Sequence, residues 1–436
     1  NWVGISGFTI GYFAPATGLT SKDYILDDYA TEKNTWNGVG TSWFNAASWS
    51  KGNVPVSTDN VLIPAGKANY PTLSANAEVG TIEIASGATL NAGAFDISVS
   101  GKGAVWSNSG TFDPGTGTVN FIHGVVTDIL TTTGATQFNN IYISANTYLR
   151  PTTGSVIKLY GNAIGELSSI VDLSQFGTVV EYNGSNPQYV INPSTIGFSL
   201  TGYHDLVLSG SGAKTLYGDE LVISGDFTNN ATLDLGLTST VSFIGSTPQT
   251  ISGTVAPTFN NITINNVTGV SCSTDITING ELNLLSDNPA SLDKGTLNMV
   301  SAKTLNLGEN STVTGIGDVT GLVKRSHTFA ISHFYAFNTA NTGVTFAEKS
   351  GQTLPTSISL RTTIGTSPDW TGTDKAPGAS TAFPSNPIKR LYEIAQSDGA
   401  LTNGLFRVHY KDNEIPATVN EATLTLWSRV FNGTKF

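Results

Sequence analysis

The sequence predicts an all-β protein: a parallel β-helix of about a dozen coils with an N-terminal cap, followed by a small antiparallel β-sandwich. A three-step pattern occurs four times between residues 60 and 280. Each step alternates apolar and polar residues, which is the period of a β-strand. Gly, Asn, Ser and Thr separate the steps, and no helical periodicity of useful length appears between residues 60 and 317.

The three steps define a super-repeat of about 60 residues. The first step has the form Val-x-Phe or Val-x-Ile, and its copies begin at Val61, Val119, Val179 and Val241. The second step is an aromatic residue or Val, two turn residues and an alternating apolar pair. The third step is an alternating strand closed by a glycine, at Gly101, Gly161, Gly225 and Gly280. We expect each super-repeat to span three coils, with equivalent inward residues stacked about 4.8 Å apart per coil.

Polar pairs recur in the turn slots of the second step. Asn139-Asn140 and Asn260-Asn261 occupy these slots, and His204-Asp205 replaces them in the intervening copy. Asn and Asp suit turns, and stacked amides form ladders. We therefore interpret the pairs as turn and ladder residues. The alternative is a ligand site, for which Tyr203, His204 and Asp205 are the candidate glycan contacts.

Residues 1–34 form an N-terminal extended segment outside the repeat. Its apolar strand residues are Val3, Ile5, Phe8, Ile10 and Tyr12. A solenoid has two open ends that must be covered or extended. The strand therefore either folds back as a cap on the first coil or pairs with an open sheet edge of a neighbouring copy. We predict that it is an assembly strand.

Residues 35–59 contain three tryptophans, Trp36, Trp43 and Trp49. Beside the first coil, such a cluster favours a hydrophobic cap. The alternative is a sugar-stacking platform formed by Trp43 and Trp49.

The β-helix is predicted to occupy residues 60–319, because the period is lost from about Asp318 onward. Residues 320–436 are richer in charged and aromatic residues and are predicted to form the β-sandwich. The alternating runs typical of sandwich strands are 357–361, 405–410 and 422–427.

Composition excludes some function classes. Only 12% of residues are charged, the net charge is −11 and the pI is about 4.8, so the chain lacks the basic cluster that nucleic acid requires. No apolar run reaches membrane-spanning length. The single cysteine, Cys272, permits no internal disulfide. One Met and one Cys in 436 residues fit an oxidising exterior.

Several segments resemble a known group of secreted proteins. The run from Trp36 to Pro64 resembles the opening of the β-helical repeats in large surface proteins of Bacteroidota. Residues 241–264 with Gln249, and more loosely 179–191 with Gln188, match the pattern of those repeats. The stretch 388–427 is similar to the β-sandwich that follows them. The resemblance implies an adhesin-like protein exported to the cell surface, often by the type IX system, although no sorting domain is visible.

The sequence contains no constellation that predicts catalysis, a cofactor or a metal centre. The acidic residues of the rod are scattered, and no two form a carboxylate pair on neighbouring coils. Calcium is the one cofactor that the residue types allow, and a polar hairpin is the other interpretation of the same residues, Asp412, Asn413, Glu414 and Glu421.

We therefore expect a non-enzymatic extracellular structural or adhesive protein that self-associates into a homo-oligomer, fibre or surface layer through its N-terminal strand and terminal domain. Surface glycans are a further expected partner. The alternative is a carbohydrate-binding or polysaccharide-cleaving β-helix protein.

Overall fold

A computed structural model describes residues 32–191, 198–216, 220–236, 238–285, 295–348, 350–351, 353–365, 387–398 and 404–424. The predicted assembly-strand residues Val3, Ile5, Phe8, Ile10 and Tyr12 lie outside these ranges. The fold is nearly all β, with a parallel solenoid of about 11 coils and a C-terminal antiparallel sheet. The predicted fold class is thus confirmed.

Each coil contributes strands to three faces of the rod. Strands of successive coils pair in parallel, without interruption on the first face and in separate sheets along each of the other two faces. Strands are numbered in chain order. The first face contains β1 (Asn34–Thr35), β2 (Asn60–Ile63), β4 (Thr81–Ile84), β7 (Gly103–Asn108), the first half of β10 (Ile129–Phe138), β12 (Tyr148–Pro151), β15 (Ser169–Leu173), β18 (Phe198–Tyr203), β21 (Glu220–Ile223), β24 (Thr240–Phe243), β27 (Asn261–Ile264), β30 (Glu281–Leu284) and β33 (Thr312–Gly315).

The other two faces are built in the same way. The second face contains β5 (Thr89–Asn91), β8 (Thr111–Asp113), the second half of β10, β13 (Val156–Leu159), β16 (Val179–Tyr182), β19 (Asp205–Leu208), β22 (Phe227–Asn229), β25 (Gln249–Ser252), β28 (Val270–Cys272), β31 (Leu297–Met299) and the start of β34 (Val319–Ser326). The third face contains β3 (Ala77–Val79), β6 (Ile97–Val99), β9 (Thr118–Phe121), β11 (Asn140–Ile143), β14 (Ala163–Gly165), β17 (Gln188–Val190), β20 (Lys214–Leu216), β23 (Leu233–Asp234), β26 (Thr258–Phe259), β29 (Ile276–Ile278), β32 (Thr304–Leu307) and the rest of β34.

The inward side of these strands forms one continuous hydrophobic core. In β11, for example, Ile141 and Ile143 are buried, whereas Asn140 and Tyr142, which alternate with them, are partly exposed. This alternation follows from the pleat of a strand. Burial of each such aliphatic side chain contributes about 2 kcal/mol.

The super-repeat does not coincide with a whole number of coils. Val61 and Val241 both lie on the first face, and eight coil-to-coil pairings separate their strands. A coil therefore takes about 22 residues, close to the shortest repeats of known solenoids. Three super-repeats thus span eight coils rather than nine, and the four first steps lie on the first, third, second and first faces.

The expected stacking of equivalent repeat positions is therefore wrong, because the length of the super-repeat is not a multiple of the coil length. What stacks instead is a fixed order of different steps. On each face a third step is followed by a first step and then a second step, as in β6–β9–β11, β13–β16–β19 and β21–β24–β27.

The N-terminal end of the rod is closed by the tryptophan cluster. Trp36, Trp43 and Trp49 are buried, and the ring centroid of Trp49 lies 5.0 Å from that of Trp36 and 4.7 Å from that of Trp43, both edge to face. Trp36 N–H donates to the Leu62 carbonyl at 2.8 Å, which ties the cluster to the first coil. A 3-10 helix, Ala46–Ser48, precedes Trp49.

The rod ends in a strand that it shares with the terminal sandwich. β34 pairs in parallel with β31 and β32 and in antiparallel with β37 (Ser357–Ile364). β37 pairs with β38 (Arg390–Gln396), and a second sheet has the order β35 (Phe334–Thr339), β36 (Thr342–Phe346), β39 (Gly404–Arg407). Arg325 lies between the rod and the sandwich, where its guanidinium donates to the carbonyls of Ala336, Gly308 and Ser311 at 2.8 to 2.9 Å.

The structure agrees with the three predicted sandwich strands to different extents. The run 357–361 is confirmed as part of β37, whereas the run 405–410 is a strand only to Arg407. The strand predicted over 422–427 is wrong at its start, because Glu421–Thr423 form a 3-10 helix whose N-cap, Asn420, accepts the Ala422 N–H at 3.0 Å. The remaining 3-10 helix is Asp412–Glu414.

Replacing Trp49 by Ala is expected to open the N-terminal end of the rod. The substitution removes a buried ring that contacts both neighbouring tryptophans, so the free energy of unfolding should fall by about 4 kcal/mol. Thermal unfolding followed by far-UV circular dichroism measures the change. Val56→Ala, at an exposed position of the same cap, is the control and should leave the melting temperature unchanged.

Candidate functional site

The polar pair of the second step anchors the coil above it. Gly161 N–H donates to the Asn139 carbonyl at 2.7 Å, and Asn162 N–H donates to Asn140 Oδ1 at 2.9 Å. The fourth copy repeats both bonds, at 2.7 and 2.8 Å, from Gly280 to Asn260 and from Glu281 to Asn261. The amide side chain thus satisfies a backbone donor that the turn would leave without a partner. Asn139 and Asn260 lie at bends, whereas Asn140 and Asn261 are the first residues of β11 and β27. Asn140 and Asn261 lie on different faces and form no ladder with each other.

The His204-Asp205 pair has the same role in the third copy. Gly225 N–H donates to the His204 carbonyl at 2.9 Å, and Asp226 N–H donates to Asp205 Oδ1 at 2.7 Å. The same Oδ1 lies 2.9 Å from His204 Nδ1. The carboxylate of Asp205 is therefore a coil-to-coil brace, and the best ligand candidate of the sequence is a structural substitute for an Asn pair.

The closing glycine of each third step is required by this contact. A Cβ on Gly225 would lie 2.0 Å from Asp205 Oδ1, and a Cβ on Gly161 would lie 2.1 Å from Asn140 Oδ1. No side chain fits at such distances. The recurring Gly of the sequence pattern thus reports close approach of two coils.

Two glutamines brace the corner next to these glycines. Gln249 Oε1 accepts the Gly245 N–H at 2.9 Å, and its Nε2 donates to the carbonyls of Ile223, at 3.1 Å, and Gly225. Gln188 makes the equivalent bonds in the preceding copy, to Gly184, Leu159 and Gly161. Both glutamines are buried. The glutamine of the repeat pattern is therefore a structural residue.

Three further acids of the rod act in the same way. Asp96, Asp226 and Asp275 each accept a backbone N–H of the next coil at 2.7 to 2.8 Å, from Thr118, Thr250 and Thr304. Asp172 is held by Ser174, Thr201 and Gln175 instead. Burial alone would raise the pKa of Asp172, but the hydrogen bonds from Ser174, Thr201 and Gln175 outweigh it and hold the pKa below its ordinary value.

The aromatic glycan candidates are interior residues. Trp43 and Trp49 belong to the cap, and Tyr203 is fully buried, with its hydroxyl donating to the Ile191 carbonyl and lying 2.8 Å from Tyr182 Oη. Burial and the neighbouring tyrosine raise the pKa of Tyr203 well above its ordinary value. None of the three rings presents a face to a sugar, so the sugar-stacking alternative is wrong at these positions. The cap interpretation of Trp43 and Trp49 agrees with their burial.

One charged group of the rod was not anticipated from the sequence. Asp128 Oδ2 lies 3.0 Å from His123 Nε2 and 2.7 Å from Lys102 Nζ, and hydrogen bonds from Lys102 and His123 lower the pKa of Asp128. The other ring nitrogen of His123 faces the Ser100 carbonyl at 3.4 Å. Both ring nitrogens of His123 thus face oxygen atoms of the chain itself.

The largest buried charge cluster joins the rod to the sandwich. Arg390 donates to both oxygens of Asp318 at 2.7 and 3.2 Å and to both oxygens of Glu414 at 2.6 and 2.9 Å. Lys411 Nζ lies 2.9 Å from Asp318. Burial alone would raise the pKa of Asp318, but Arg390 and then Lys411 outweigh it and hold the pKa below its ordinary value.

This cluster engages a residue of the predicted calcium site. Glu414 is committed to Arg390, and Glu421 Oε1 accepts the hydroxyl of Tyr410 at 2.9 Å. Among the residues that the structure describes, no group of three or more His, Cys, Asp or Glu side chains could hold a metal ion.

Comparisons with known proteins add no further information. No protein-family model, curated protein or solved structure matches the chain. Within the described ranges, no helix has the length and apolar character needed to cross a membrane.

Gly225→Ala is expected to lower the free energy of unfolding by about 2 kcal/mol, because the added methyl group displaces Asp205 and leaves the Asp226 N–H without its acceptor. Chemical denaturation measures the loss. Gly80→Ala is the matched control: its nearest atom would be 3.1 Å from the new Cβ, so its effect should be clearly smaller. Equal losses in the two variants would contradict the bracing role.

Acid is expected to detach the sandwich from the rod. The lowered pKa of Asp318 stabilises the folded state above the unfolded-state value of about 3.8, and this contribution is lost as the pH falls through the lowered folded value. Asp318→Asn should cost about 3 kcal/mol at neutral pH, because Arg390 loses a buried counter-ion. It should also flatten the pH dependence of stability below pH 4, measured by denaturation across a pH series. A variant with an unchanged acid profile would contradict this assignment.

Proposed function

We propose that the protein is a non-enzymatic structural and adhesive protein of the cell exterior, whose copies join through the N-terminal strand and the terminal sandwich into a fibre or surface layer. The rod is a rigid spacer, since its coils share one continuous core and, along the first face, a continuous parallel ladder.

The single observation that carries the proposal is the use of the recurring polar residues. The Asn pairs, His204-Asp205 and the two glutamines all bond the backbone of neighbouring coils. Catalysis on a β-helix requires carboxylates that face a substrate rather than the chain itself. The recurring polar side chains of the repeat therefore stabilise the fold, and this use favours a structural role over a glycan-cleaving one.

The tryptophan cap favours assembly through residues 1–31. Because the first coil is already covered by Trp36, Trp43 and Trp49, its closure does not require a further apolar strand. An apolar segment that the first coil does not require is suited to strand addition between copies.

One coil of the rod carries three exposed apolar side chains. Tyr160, Ile164 and Leu167 expose 44%, 59% and 74% of their surface. Exposed apolar groups that lie together mark contact sites on proteins. These side chains favour an adhesive role for the rod, in addition to assembly at its ends.

Self-association is tested by static light scattering and electron microscopy of the full chain over a concentration series. We expect fibres or sheets, and Ile5→Asp/Ile10→Asp should raise the concentration needed for assembly at least tenfold, because a charge on the strand must be desolvated at the contact. Val39→Asp, at an exposed position of the cap, is the control and should assemble normally. A full chain that stays monomeric at all concentrations would refute the proposal.

The enzymatic alternative is tested separately. Incubation with neutral and acidic polysaccharides, with and without calcium, should release no new reducing or unsaturated ends. Turnover that Asp205→Ala or Asp226→Ala abolishes would overturn the structural assignment. Immunolabelling of intact cells tests the extracellular location.

A further inference from the structure

We propose that the terminal sandwich accepts the N-terminal strand of a second copy along the open edge of β39, where residues 3–12 of that copy cover Ile394. The inference rests on the proposed self-association and specifies the acceptor. It comes from an asymmetry between the two sides of the sandwich.

On the inner face of the first sandwich sheet, the exposed fraction of the side chains rises at the last strand, β38. Val323 of β34, Leu360 of β37 and Ile394 of β38 are directly paired neighbours in one row. Their exposed fractions are 0%, 0% and 38%. All three are aliphatic and lie on the same face. The higher exposed fraction of Ile394 therefore indicates that the opposing sheet does not extend over β38.

Among the described residues, the second sheet ends one strand short of covering this row. On its inner side, Phe337 of β35 and Phe346 of β36 are fully buried. Phe406 of β39 is only partly buried and packs edge to face on Tyr392 at 6.1 Å. Within the described residues, β39 pairs on one side only, with β36. An added strand on its other side would cover Phe406 and Ile394 together.

The occupant of this position must be extended, apolar on one side and without charge. Residues 1–21 contain no Asp, Glu, Lys, Arg or His. Phe8, Ile10 and Tyr12 alternate, so a strand there presents all three side chains to one face. An open edge binds such a strand through backbone hydrogen bonds, with apolar pockets for alternate side chains.

The position of the segment favours an acceptor on another copy. The N-terminal segment enters the rod at the first coil, whereas the sandwich follows the last coil, about 50 Å away at the ordinary strand spacing. Residues 13–32 would have to run largely extended along the rod to reach their own sandwich, and ordering each residue costs about 1 kcal/mol. A head-to-tail neighbour brings the two ends together, and because this contact is heterologous it extends into a filament.

Peptide binding tests the acceptor in the full chain. The acceptor is the full-length Phe8→Asp/Ile10→Asp variant, which cannot donate its own strand, and the ligand is a labelled peptide of residues 1–14. We expect saturable binding by fluorescence anisotropy, and no binding of a peptide that carries Phe8→Asp and Ile10→Asp. Ile394→Asp in the acceptor should weaken binding at least tenfold. Leu405→Asp, an exposed leucine of β39 at a position that alternates with Phe406, is the matched control and should bind normally.

Disulfide trapping identifies the partner. Ile10→Cys and Ile394→Cys are placed in two differently tagged full-length copies, mixed and oxidised; Cys272 is buried and does not compete. A cross-linked heterodimer is expected. A single chain that carries both substitutions and cross-links only within itself would overturn the second-copy assignment. A second single chain carries Ile394→Cys and Leu426→Cys. An internal cross-link in that chain would also overturn the second-copy assignment, because it would place the chain's own C-terminal tail on this edge.

The outcomes separate the acceptor from the assembly. If the Ile394→Asp full chain still forms fibres and the labelled peptide does not bind the Phe8→Asp/Ile10→Asp acceptor, the proposed self-association stands and the acceptor assignment is wrong. If the unmodified full chain never assembles, the proposed function itself fails.

Discussion

The parallel hydrogen-bonded ladder between successive coils is the constraint on which the rest of this structure depends. It holds neighbouring strands at about 4.8 Å, so every coil must follow nearly the same path as the coil below. A path with three faces has three corners, and at a corner the backbone leaves the ladder with donors to satisfy. Asn140, Asp205 and Asp226 supply acceptors for those donors. The close approach that this requires explains the glycines opposite them.

This constraint also governs the two ends of the rod, which are closed in different ways. At the N-terminal end three tryptophan rings cover the core. At the C-terminal end β34 continues from the rod into the sandwich, and Arg325 bonds carbonyls of both. The buried cluster of Arg390, Asp318, Glu414 and Lys411 then fixes the sandwich to the last coil. The side of the sandwich that bears Ile394 is the part of this arrangement that remains uncovered.

The proposed function is supported by where the polar and apolar groups lie. The recurring Asn, Asp and Gln side chains of the repeat bond the chain itself, which favours the proposed role of the rod as a spacer. Exposed apolar groups include Tyr160, Ile164 and Leu167 on the rod and Ile394 on the sandwich. A rigid spacer with apolar contact surfaces on its side and at one end is suited to assembly and adhesion.

The sequence by itself determined the fold class, the strand-rich repeat and the interior location of its aliphatic residues, because a period of two and a turn residue act locally. It also indicated the turn role of the Asn pairs. It could not place the repeats on the faces of the rod, since that depends on the accumulated length of every coil, and the super-repeat and the coil are not commensurate in length. It could not identify Asp205 as a brace rather than a ligand, or join Asp318 to Arg390, which lies far along the chain. Those roles arise from contacts between segments distant along the chain, and only the tertiary structure decides them.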